Sequence, residues 1–412
     1  MELFQEKNKL PQKPISKFQM NSFKLSEQIF VDNLEELSKN PLNMVIAECI
    51  QDCSFMQNNF IHSFKKKKKY IMSIGVYQGI HYDSYGKKDI LKPSNLNFNK
   101  IYKPYKGQDL NDKTLLVIRT GGIGDLLFIQ PNLIFLKEKY PNSKIIFSCG
   151  RQYWSMVKKW ECVDEVIELP LEFKYFISAD YHAVFEGVIE RCRESERVNS
   201  YRLFTKWLGL NLPDEKLIPK QNPDEMNKSK VKSILKNEYN LEEGEFIVMQ
   251  VKASSPIRTP RPELLRKLIS KLLDKNYKIV ITDSEKVEKS IDDLFIKKIE
   301  NNNLLNFSKH SKEIGDAISL ISLSKGVISI DSSLNHIAAS LDKPIFGIFG
   351  PFLGELRLDT YKNADWINSK SECSPCFRHG SKPCPHSILG FPICFDNLNL
   401  DDLVDKIEKV IK

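Results

Sequence analysis

Short apolar runs alternate with longer segments of helical periodicity from Lys113 to the end of the chain. LLVIR (Leu115–Arg119) ends at the glycine cluster TGGIGD, and LLFIQPNLIFLKEKY follows with helical spacing of its apolar residues. The strand-like runs KIIFSC and VDEVIELP come next. Strands that alternate with helices predict βαβ units, a parallel sheet and right-handed crossovers.

The same alternation occurs a second time in the carboxy-terminal half. A Pro- and Lys-rich passage over residues 212–232 is typical of a linker, and the runs FIVMQV, KIVIT, GVISI and PIFGIF come after it. Two successive α/β halves predict two facing Rossmann-like domains. Open α/β sheets bind ligands outside the carboxyl ends of their strands, so we expect the site in the cleft between the halves.

The residues before this alternation differ in character. A helical pattern over residues 25–37 is followed by YIMSIGVYQGIHYDSYG, whose alternation predicts short antiparallel strands. We therefore divide the chain into an accessory domain over residues 1–110, a first Rossmann-like domain over 111–222 and a second one over 223–412.

The composition limits the partners and the compartment. The 412 residues carry a net charge of +8, which suits a nucleotide-sugar, a phospholipid surface or nucleic acid. The run Lys65–Lys69 is either a solvated face or a binding patch. No run reaches the roughly 20 apolar residues that span a bilayer, and the amino terminus has no apolar signal region. The sequence thus predicts a cytoplasmic protein without a transmembrane segment.

The glycine cluster after the first strand is a candidate for catalysis. Gly121, Gly122 and Gly124 let the backbone turn tightly and approach a ligand without a Cβ in the way. The helix that follows offers free N–H groups and a partial positive charge. Asp125 either serves as a general base for an acceptor hydroxyl or caps this helix. The spacing GGIG differs from the dinucleotide fingerprint.

A second cluster follows the strand-like run GVISI. A helix that begins at Ser332 or Ser333 could hold a diphosphate on its free N–H groups and on hydroxyl donors. The alternative is an ordinary capped helix in which His336 is a satisfied polar residue. The residues of this turn are Asp331, Ser332, Ser333, Asn335 and His336.

Two further loops follow strands of the same half. Cations just beyond a strand could neutralise a leaving diphosphate, and the glycine-containing loop after PIFGIF would line the same cleft. The residues concerned are Lys252, Ser254, Arg258 and Arg261 after FIVMQV, and Gly350 after PIFGIF.

Four of the nine cysteines fall within 22 residues near the carboxyl terminus: Cys373, Cys376, Cys384 and Cys394. Four thiolates would saturate a tetrahedral iron or zinc ion, and a metal site without an open position is structural. His379 or His386 could replace one cysteine, and free thiols or a disulfide pair are the alternatives. We predict a metal finger over residues 373–394.

Two of these segments resemble a known family. LLVIRTGGIGDLLFIQPNLIFLKEKYPNSKIIF is similar to the opening βαβ unit of the ADP-heptose:lipopolysaccharide heptosyltransferases, glycosyltransferase family 9. GVISIDSSLNHIAASLDKPIFGIFGP resembles that family's nucleotide-sugar motif. The motifs occur in the family's order, and the resemblance extends over residues 113–410. It implies a GT-B fold and an inverting transfer of heptose from ADP-heptose that requires no metal.

Carried over by position, the resemblance makes Asp125 the base that deprotonates the acceptor. It places Lys252, with Arg258 or Arg261, against the donor phosphates, and it makes residues 331–336 the donor-binding turn. The chain departs from the family where Ser332-Ser333 replaces Thr-Gly or Ser-Gly, and where RTPRP replaces Lys-Arg-Trp-Pro.

The accessory domain and the cysteine finger are similar to the autotransporter O-heptosyltransferases within this family. That subgroup implies serine residues of an adhesin as acceptors and a cysteine-bound iron, and it leaves room for a homo-oligomer. A lipopolysaccharide or other glycan acceptor is the alternative among enzymes. A nucleic-acid-binding protein with a metal finger is the non-enzyme alternative, but the sequence lacks the aromatic platforms between basic residues that such proteins use. We therefore expect no nucleic-acid partner.

Overall fold

The computed structural model describes residues 30–39, 44–57, 60–74, 76–77, 91–378 and 384–412. Its amino-terminal elements are α1 (Leu34–Lys39), β1 (Met44–Cys49), β2 (Cys53–Gln57), β3 (Phe60–Phe64), β4 (Lys69–Ser73), β5 (Leu91–Pro93) and α2 (Phe98–Ile101). β1 pairs antiparallel with β4 and β5, and β2 pairs antiparallel with β3. The predicted strands over residues 70–86 are confirmed at residues 70–73, which belong to β4, whereas residues 74, 76 and 77 are helical. Residues 25–29 of the predicted helix, and residues 75 and 78–86 of the predicted strands, lie outside the described residues.

A parallel sheet follows, as the first alternation predicts. The elements of this region are β6 (Thr114–Ile118), α3 (Ile123–Lys139), β7 (Lys144–Cys149), α4 (Trp154–Val157), β8 (Glu165–Glu168), β9 (Leu171–Glu172), α5 (Phe173–Ser178), β10 (Tyr181–Val184) and α6 (Ser200–Trp207). β6 pairs parallel with β7 and β10, and β7 pairs parallel with β8.

The short strand β9 leaves this region and joins the amino-terminal sheet. It pairs antiparallel with β4, with Leu171 opposite Ile71, so that this sheet has the order β5-β1-β4-β9. The amino-terminal sheet therefore includes residues from beyond the predicted boundary at residue 110. A strand of two residues has no periodicity of its own, so its distant partner alone defines it.

The second parallel sheet lies in the carboxy-terminal half. Its region contains α7 (Glu225–Tyr239), β11 (Phe246–Gln250), α8 (Pro262–Asp274), β12 (Lys278–Ile281), α9 (Glu288–Ile291), α10 (Lys297–Ile299), β13 (Leu304–Asn306), α11 (Ile314–Leu323), β14 (Gly326–Ile330), α12 (Ser333–Ser340), β15 (Ile345–Phe349), α13 (Glu355–Leu358), β16 (Ala364–Asn368), β17 (Ser387–Ile388), β18 (Phe391–Pro392) and α14 (Leu400–Val410). α7 begins inside the predicted linker, because Asp224 caps it by accepting a hydrogen bond from the Asn227 N–H at 3.0 Å. Within the described ranges, no helix has the length and apolar character that a bilayer span needs.

Both parallel sheets reverse their strand order beside their first strand. The order is β10-β6-β7-β8 in the first sheet and β13-β12-β11-β14-β15-β16 in the second. A crevice opens at such a switch point, because the chain leaves the two neighbouring strands in opposite directions. The loops after β6 and β10 flank one switch point, and the loops after β11 and β14 flank the other.

A continuous apolar core joins the two sheets through α3 and α12. Phe128 of α3 packs edge-on against the His336 ring of α12, with 4.6 Å between the ring centroids. Gly124 permits this approach, because a Cβ on it would lie 3.1 Å from His336 Cδ2. The opposite face of the second sheet is covered by α8 and α14, whose Ile269 and Ile407 are fully buried. The starts of α3 and α12 are thus held together at the base of the cleft.

Candidate active site

A cleft of about 870 Å³ opens between the two switch points. One wall consists of the loops after β6 and β10 and the start of α3, and the other consists of loops from the second sheet. The predicted site residues that line it are Gly122, Gly124, Asp125, Lys252, Ser254, Arg258, Asp331, Ser332, Ser333 and His336. The two sequence motifs therefore face one another across a single cleft.

Asp125 caps the start of α3 with one oxygen and presents the other to the cleft. Its Oδ2 accepts a hydrogen bond from the Gly122 N–H at 2.8 Å and lies 3.1 Å from Arg119 Nη2. Its Oδ1 has no hydrogen-bond partner in the described part of the chain. A base needs only one free oxygen within reach of the acceptor hydroxyl, so the cap and the base are compatible within one carboxylate.

A buried charge cluster lies beneath Asp125, and the sequence patterns did not indicate it. Arg119 is only 1% exposed and pairs with both Asp125 and Glu190. Glu186 accepts hydrogen bonds from the backbone N–H and the hydroxyl of Thr120. Burial raises the pKa of Glu186, although Arg119 opposes this effect. Three carboxylates therefore surround one guanidinium on the first wall.

The helix α12 begins at the edge of the second wall. The Ser332 hydroxyl accepts a hydrogen bond from the Leu334 N–H at 3.3 Å and also bonds to Ser329 and Gln250, so it is engaged within the protein. Ser333 lines the cleft, and its hydroxyl has no partner among the residues that the structure describes. An anionic ligand at this helix start would meet free N–H groups and the Ser333 hydroxyl.

Two cations flank this helix start. Lys252 lines the cleft, is exposed, and makes no hydrogen bond or ion pair to any described residue. Arg258 donates a hydrogen bond to the Asp331 carbonyl at 3.0 Å and lies 3.5 Å from the Asp331 carboxylate. Lys252 is therefore available for an anionic ligand, whereas Arg258 also fixes the turn after β14.

His336 lines the cleft floor but contributes no charge to it. Burial, and after it the nearby Arg357, lowers the pKa of His336 to about 3. The imidazole is therefore neutral at pH 7, and its Nδ1 shares a hydrogen bond of 2.8 Å with the Tyr361 hydroxyl. Any contribution of His336 to ligand binding is a neutral hydrogen bond from Nε2.

Two predicted residues support the site from beneath. Asn335 is 1% exposed and donates a hydrogen bond to the Ile330 carbonyl at 2.9 Å, so it braces the end of β14. Gly121 lies against the charge cluster, because a Cβ on it would fall 2.2 Å from Asp125 Oδ2 and 2.5 Å from Arg119 Nε. Neither residue lines the cleft.

Two others belong to the surroundings of the cysteine loop. Arg261 pairs with Asp396 at 2.8 Å, which directs its guanidinium away from the cleft. Gly350 packs against the same loop, because a Cβ on it would lie 2.7 Å from Cys394 Sγ. The position of these residues beyond a strand was predicted, but the direction of the Arg261 side chain depends on Asp396, which is distant in sequence.

The cleft also contains polar residues that the sequence patterns missed. Asp283 comes shortly after β12, and burial raises the pKa of its carboxyl group. Lys252 and Arg258 were predicted because they lie just beyond β11. The same positional argument, applied to carboxylates just beyond β12, would have predicted Asp283. The further cleft residues with polar or aromatic side chains are Gln152, Tyr153, Glu190, Gln250, Ser255, Thr282, Ser284, Ser311, Lys312, Glu313, Phe352, Arg357 and Arg378.

The cysteines of the predicted finger line one small cavity: Cys373, Cys376, Cys384 and Cys394. All four are free thiols, and burial followed by the three neighbouring thiols raises the pKa of Cys394 to about 12. In the described residues, which leave out 379–383 and hence His379, no group of three or more Cys, His, Asp or Glu side chains is arranged to hold a metal ion. The clustering of the four predicted ligands is thus observed, whereas a formed metal site is not.

The cysteine loop is anchored beside the cleft. The N–H groups of Cys376 and Phe377 both donate to the Pro351 carbonyl, at 3.1 and 3.0 Å. The next residue, Arg378, lines both the cysteine cavity and the cleft. The loop therefore contributes a cation to the second wall.

Part of the chain matches the sequence model of a known protein family. Residues 190–385 match the sequence model of glycosyltransferase family 9 (heptosyltransferase), which is nearly half of the chain. The match begins in the loop after β10 and includes the whole second parallel sheet, while the glycine cluster lies before it. No curated protein sequence matches the chain.

Three solved structures show similar folds. E. coli ADP-heptose lps heptosyltransferase II has 15% identity and a TM-score of 0.53, and the match covers 73% of this chain and 98% of that one. A family 9 glycosyltransferase from Veillonella parvula has 13% identity and a TM-score of 0.56, with coverage of 74% and 98%. The iron-containing dodecameric glycosyltransferase TibC from enterotoxigenic E. coli has 10% identity and a TM-score of 0.53, with coverage of 90% and 93%.

The predicted GT-B fold is therefore confirmed, and the chain is a glycosyltransferase. More particularly, residues 190–385 carry a heptosyltransferase domain of glycosyltransferase family 9. The TibC match covers 90% of this chain and must therefore include many residues before the first parallel sheet begins at Thr114, whereas coverage of 73–74% can lie almost entirely from Thr114 onward.

Proposed function

We propose that this glycosyltransferase transfers heptose from ADP-heptose to a hydroxyl acceptor with inversion at the anomeric carbon. The observation that carries the proposal is the arrangement of the cleft. The free Oδ1 of Asp125 faces it from one wall, and Lys252 with the start of α12 faces it from the other. The family domain over residues 190–385 and the fold shared with an ADP-heptose enzyme support the choice of donor.

The second wall is suited to the ADP part of the donor. The free N–H groups of α12 and the Ser333 hydroxyl would bind phosphate oxygens. Lys252 and Arg258 would offset the negative charge that grows on the leaving diphosphate. Arg378 would add a third cation to this wall. These residues require no metal ion for the transfer.

The first wall is suited to activation of the acceptor. As the acceptor oxygen forms its bond to the anomeric carbon, the bond from that carbon to the β-phosphate oxygen breaks, and ADP leaves with the electron pair. Asp125 Oδ1 takes the acceptor proton in the same step and later releases it to solvent. A single displacement of this kind inverts the anomeric centre.

We propose serine residues of an autotransporter adhesin as the acceptors in the cytoplasm. The support is the resemblance to the O-heptosyltransferase subgroup and the TibC match, which includes part of the amino-terminal region. The amino-terminal sheet contains β9 from the acceptor half, so it is built onto the wall that carries Asp125. A homo-oligomer is proposed on the same grounds, since TibC is dodecameric.

We further propose that Cys373, Cys376, Cys384 and Cys394 bind one structural iron or zinc ion. Four thiols in one cavity are a donor set that suits either ion, and TibC contains iron. A bound ion would stabilise the loop and take no part in the transfer. Colour and elemental analysis of the purified protein would distinguish iron from zinc.

A lipopolysaccharide core is the second candidate acceptor. The fold match to the E. coli lipopolysaccharide enzyme, which includes nearly all of that chain, favours it. The amino-terminal sheet favours the protein acceptor instead. The match already accounts for 98% of the E. coli enzyme with 73% of this chain, so that enzyme need not contain such a sheet.

The experiment that tests the function compares acceptors directly. Wild-type protein is incubated with ADP-heptose alone, with an adhesin fragment, or with a heptose-free lipopolysaccharide core, and released ADP and the mass of the acceptor are measured. We expect ADP release with the adhesin fragment and a mass increase of one heptosyl residue on its serines. Transfer to the core glycan alone would replace the protein acceptor, and no release with any acceptor would contradict the proposed donor.

A further inference from the structure

The cluster beneath Asp125 contains more negative charge than a single base requires. Arg119 Nη2 lies 3.1 Å from Asp125 Oδ2 and 2.5 Å from Glu190 Oε1. Its Nη1 lies 3.3 Å from the other Glu190 oxygen and donates to the Phe185 carbonyl at 2.8 Å. Glu190 therefore makes the closer contact with the guanidinium.

This pair of contacts spans the switch point of the first sheet. Arg119 comes directly after β6, and Glu190 lies in the loop after β10, the strand beside it. The guanidinium thus ties together the two loops that form the first wall. Glu190 also lines the cleft, and 39% of its side chain is exposed.

Arg119 lies 3.1 Å from Asp125 and is buried, where the charge of its guanidinium is poorly screened. A second carboxylate on the same guanidinium offsets the charge that Asp125 experiences. Glu190 is placed to do this, and a neutral side chain there would remove the closer of the two carboxylates that pair with Arg119.

The other groups around Asp125 do not provide the same compensation. Glu186 is close enough to feel the charge of Arg119, but its two oxygens accept hydrogen bonds from Thr120 and it makes no ion pair with the guanidinium. His336 is neutral, because burial lowers its pKa to about 3. The ionisable and charged side chains that face Asp125 from the surrounding elements are Arg119, Tyr153, Glu186, Glu190, Asp331, His336, Arg258 and Arg357.

From this geometry we infer that Glu190 is a positioning residue of the transfer reaction. It holds Arg119 across the switch point and offsets the guanidinium charge, so that Asp125 keeps its orientation and its ability to accept the acceptor proton. Glu190 acts through Arg119 and receives no proton from the acceptor itself. The inference rests on the proposed function, in which Asp125 is the base.

The test is the pH dependence of transfer by Glu190→Gln, which keeps the size and hydrogen-bonding capacity of the side chain and removes its charge. With kcat/KM measured from about pH 5 to 9, we expect the acidic limb to move to lower pH and the plateau to fall roughly three- to tenfold, because the base has become weaker. Glu190→Asp, which retains the charge, should restore most of the wild-type profile. The affinity for ADP should remain unchanged in both variants.

Glu196→Gln is the matched control, since it removes one carboxylate from the same segment without contacting Arg119. An unchanged pH profile in a folded Glu190→Gln protein would overturn the inference. So would an equal loss in Glu190→Gln and Glu190→Asp with no movement of the acidic limb, which would indicate a structural role. If Glu190→Gln fails to fold, Glu190→Met removes the same charge at a similar side-chain length, and an unshifted acidic limb in the folded Glu190→Met protein overturns the inference. Wild-type protein that fails to release ADP from ADP-heptose would contradict the proposed function instead.

Discussion

The two walls of the cleft occupy equivalent places in their sheets but carry opposite charge. In the first sheet, one buried guanidinium, Arg119, lies among Asp125, Glu186 and Glu190. In the second, the exposed Lys252 and the half-buried Arg258 lie beside the start of α12. Each group follows a strand at the switch point of its own sheet. The shared topology therefore places functional side chains at the same position in both sheets, and the identity of those side chains determines what each wall can bind or catalyse.

The difference fits the two tasks of a transfer reaction. The acceptor hydroxyl must lose a proton, and a carboxylate whose surroundings remain anionic is suited to accept it. The donor must lose a diphosphate, and cations at a helix start are suited to receive its charge. If this division is right, variants on the two walls should affect different properties.

The largest effect is expected from Asp125→Asn. The amide cannot accept the proton, so transfer should fall by a factor of about a hundred or more, while calorimetry should give an unchanged affinity for ADP. Asp274→Asn, at the exposed end of α8, is the matched control and should be fully active. Near-normal transfer by Asp125→Asn would remove Asp125 from its role as base.

A smaller effect is expected from Lys252→Gln on the opposite wall. Loss of one charge-assisted contact with a phosphate should weaken ADP binding by about tenfold or more. The affinity for adenosine should change little, because it carries no phosphate. Lys289→Gln is a control on the exposed surface of the same half. Equal losses for ADP and adenosine would argue against a phosphate contact.

A third variant tests whether the cysteine loop supports only the second wall of the cleft and not the first. Cys373→Ser with Cys376→Ser should abolish binding of iron or zinc and lower the melting temperature by several degrees, because the loop loses its crosslink. ADP binding should weaken a few-fold through Arg378, which the loop carries. Cys162→Ser, a buried thiol of the first half, is the control for loss of a sulfur. Unchanged metal content and melting in the double variant would rule out the proposed metal site.

The last prediction concerns stability rather than transfer, at His336, which joins the two walls through its contact with Phe128. Its pKa is about 3 in the folded protein and 6.5 in the unfolded reference, so the unfolded chain alone binds this proton at intermediate pH. Acidification from pH 6.5 towards 3 should therefore destabilise the fold, with roughly 1.4 kcal/mol per pH unit from this residue.

Chemical unfolding at several pH values measures the slope for His336→Gln. We expect a shallower loss of stability on acidification than in the wild type, whatever the absolute stability of the variant. His310→Gln, which removes a histidine paired with Glu238 in the same half, is the control. Identical slopes in His336→Gln and the wild type would show that His336 is not held neutral.

Much of the fold could be predicted because it depends on local patterns. LLVIR predicted β6, and the periodic segment after it predicted α3 across Pro131. The linker prediction was wrong over α7, whose sequence is rich in Lys and Asn. Only Val231 and Leu235 of that helix are buried, so its apolar periodicity was too weak to detect.

The site was predictable where a motif follows a strand, and not where tertiary pairing decides. Asp125 and Lys252 were predicted as site residues because they follow β6 and β11, the first strands of the two parallel sheets along the chain. Glu190 lies in an irregular segment after β10, and its place depends on Arg119, 71 positions earlier. Arg261 was expected in the cleft for its position, but its partner Asp396 is 135 positions away and could not be read from local sequence.

The division between the walls is tested most directly by the rate of transfer as a function of ADP-heptose concentration. Wild type, Asp125→Asn and Lys252→Gln are measured side by side with one acceptor. We predict that Asp125→Asn lowers kcat without changing KM for the donor. Lys252→Gln should raise this KM and lower kcat to a smaller extent, because Lys252 also offsets the charge that grows on the leaving diphosphate. An unchanged donor KM in Lys252→Gln, or a raised one in Asp125→Asn, would contradict the account, since the two walls would then not divide the two tasks.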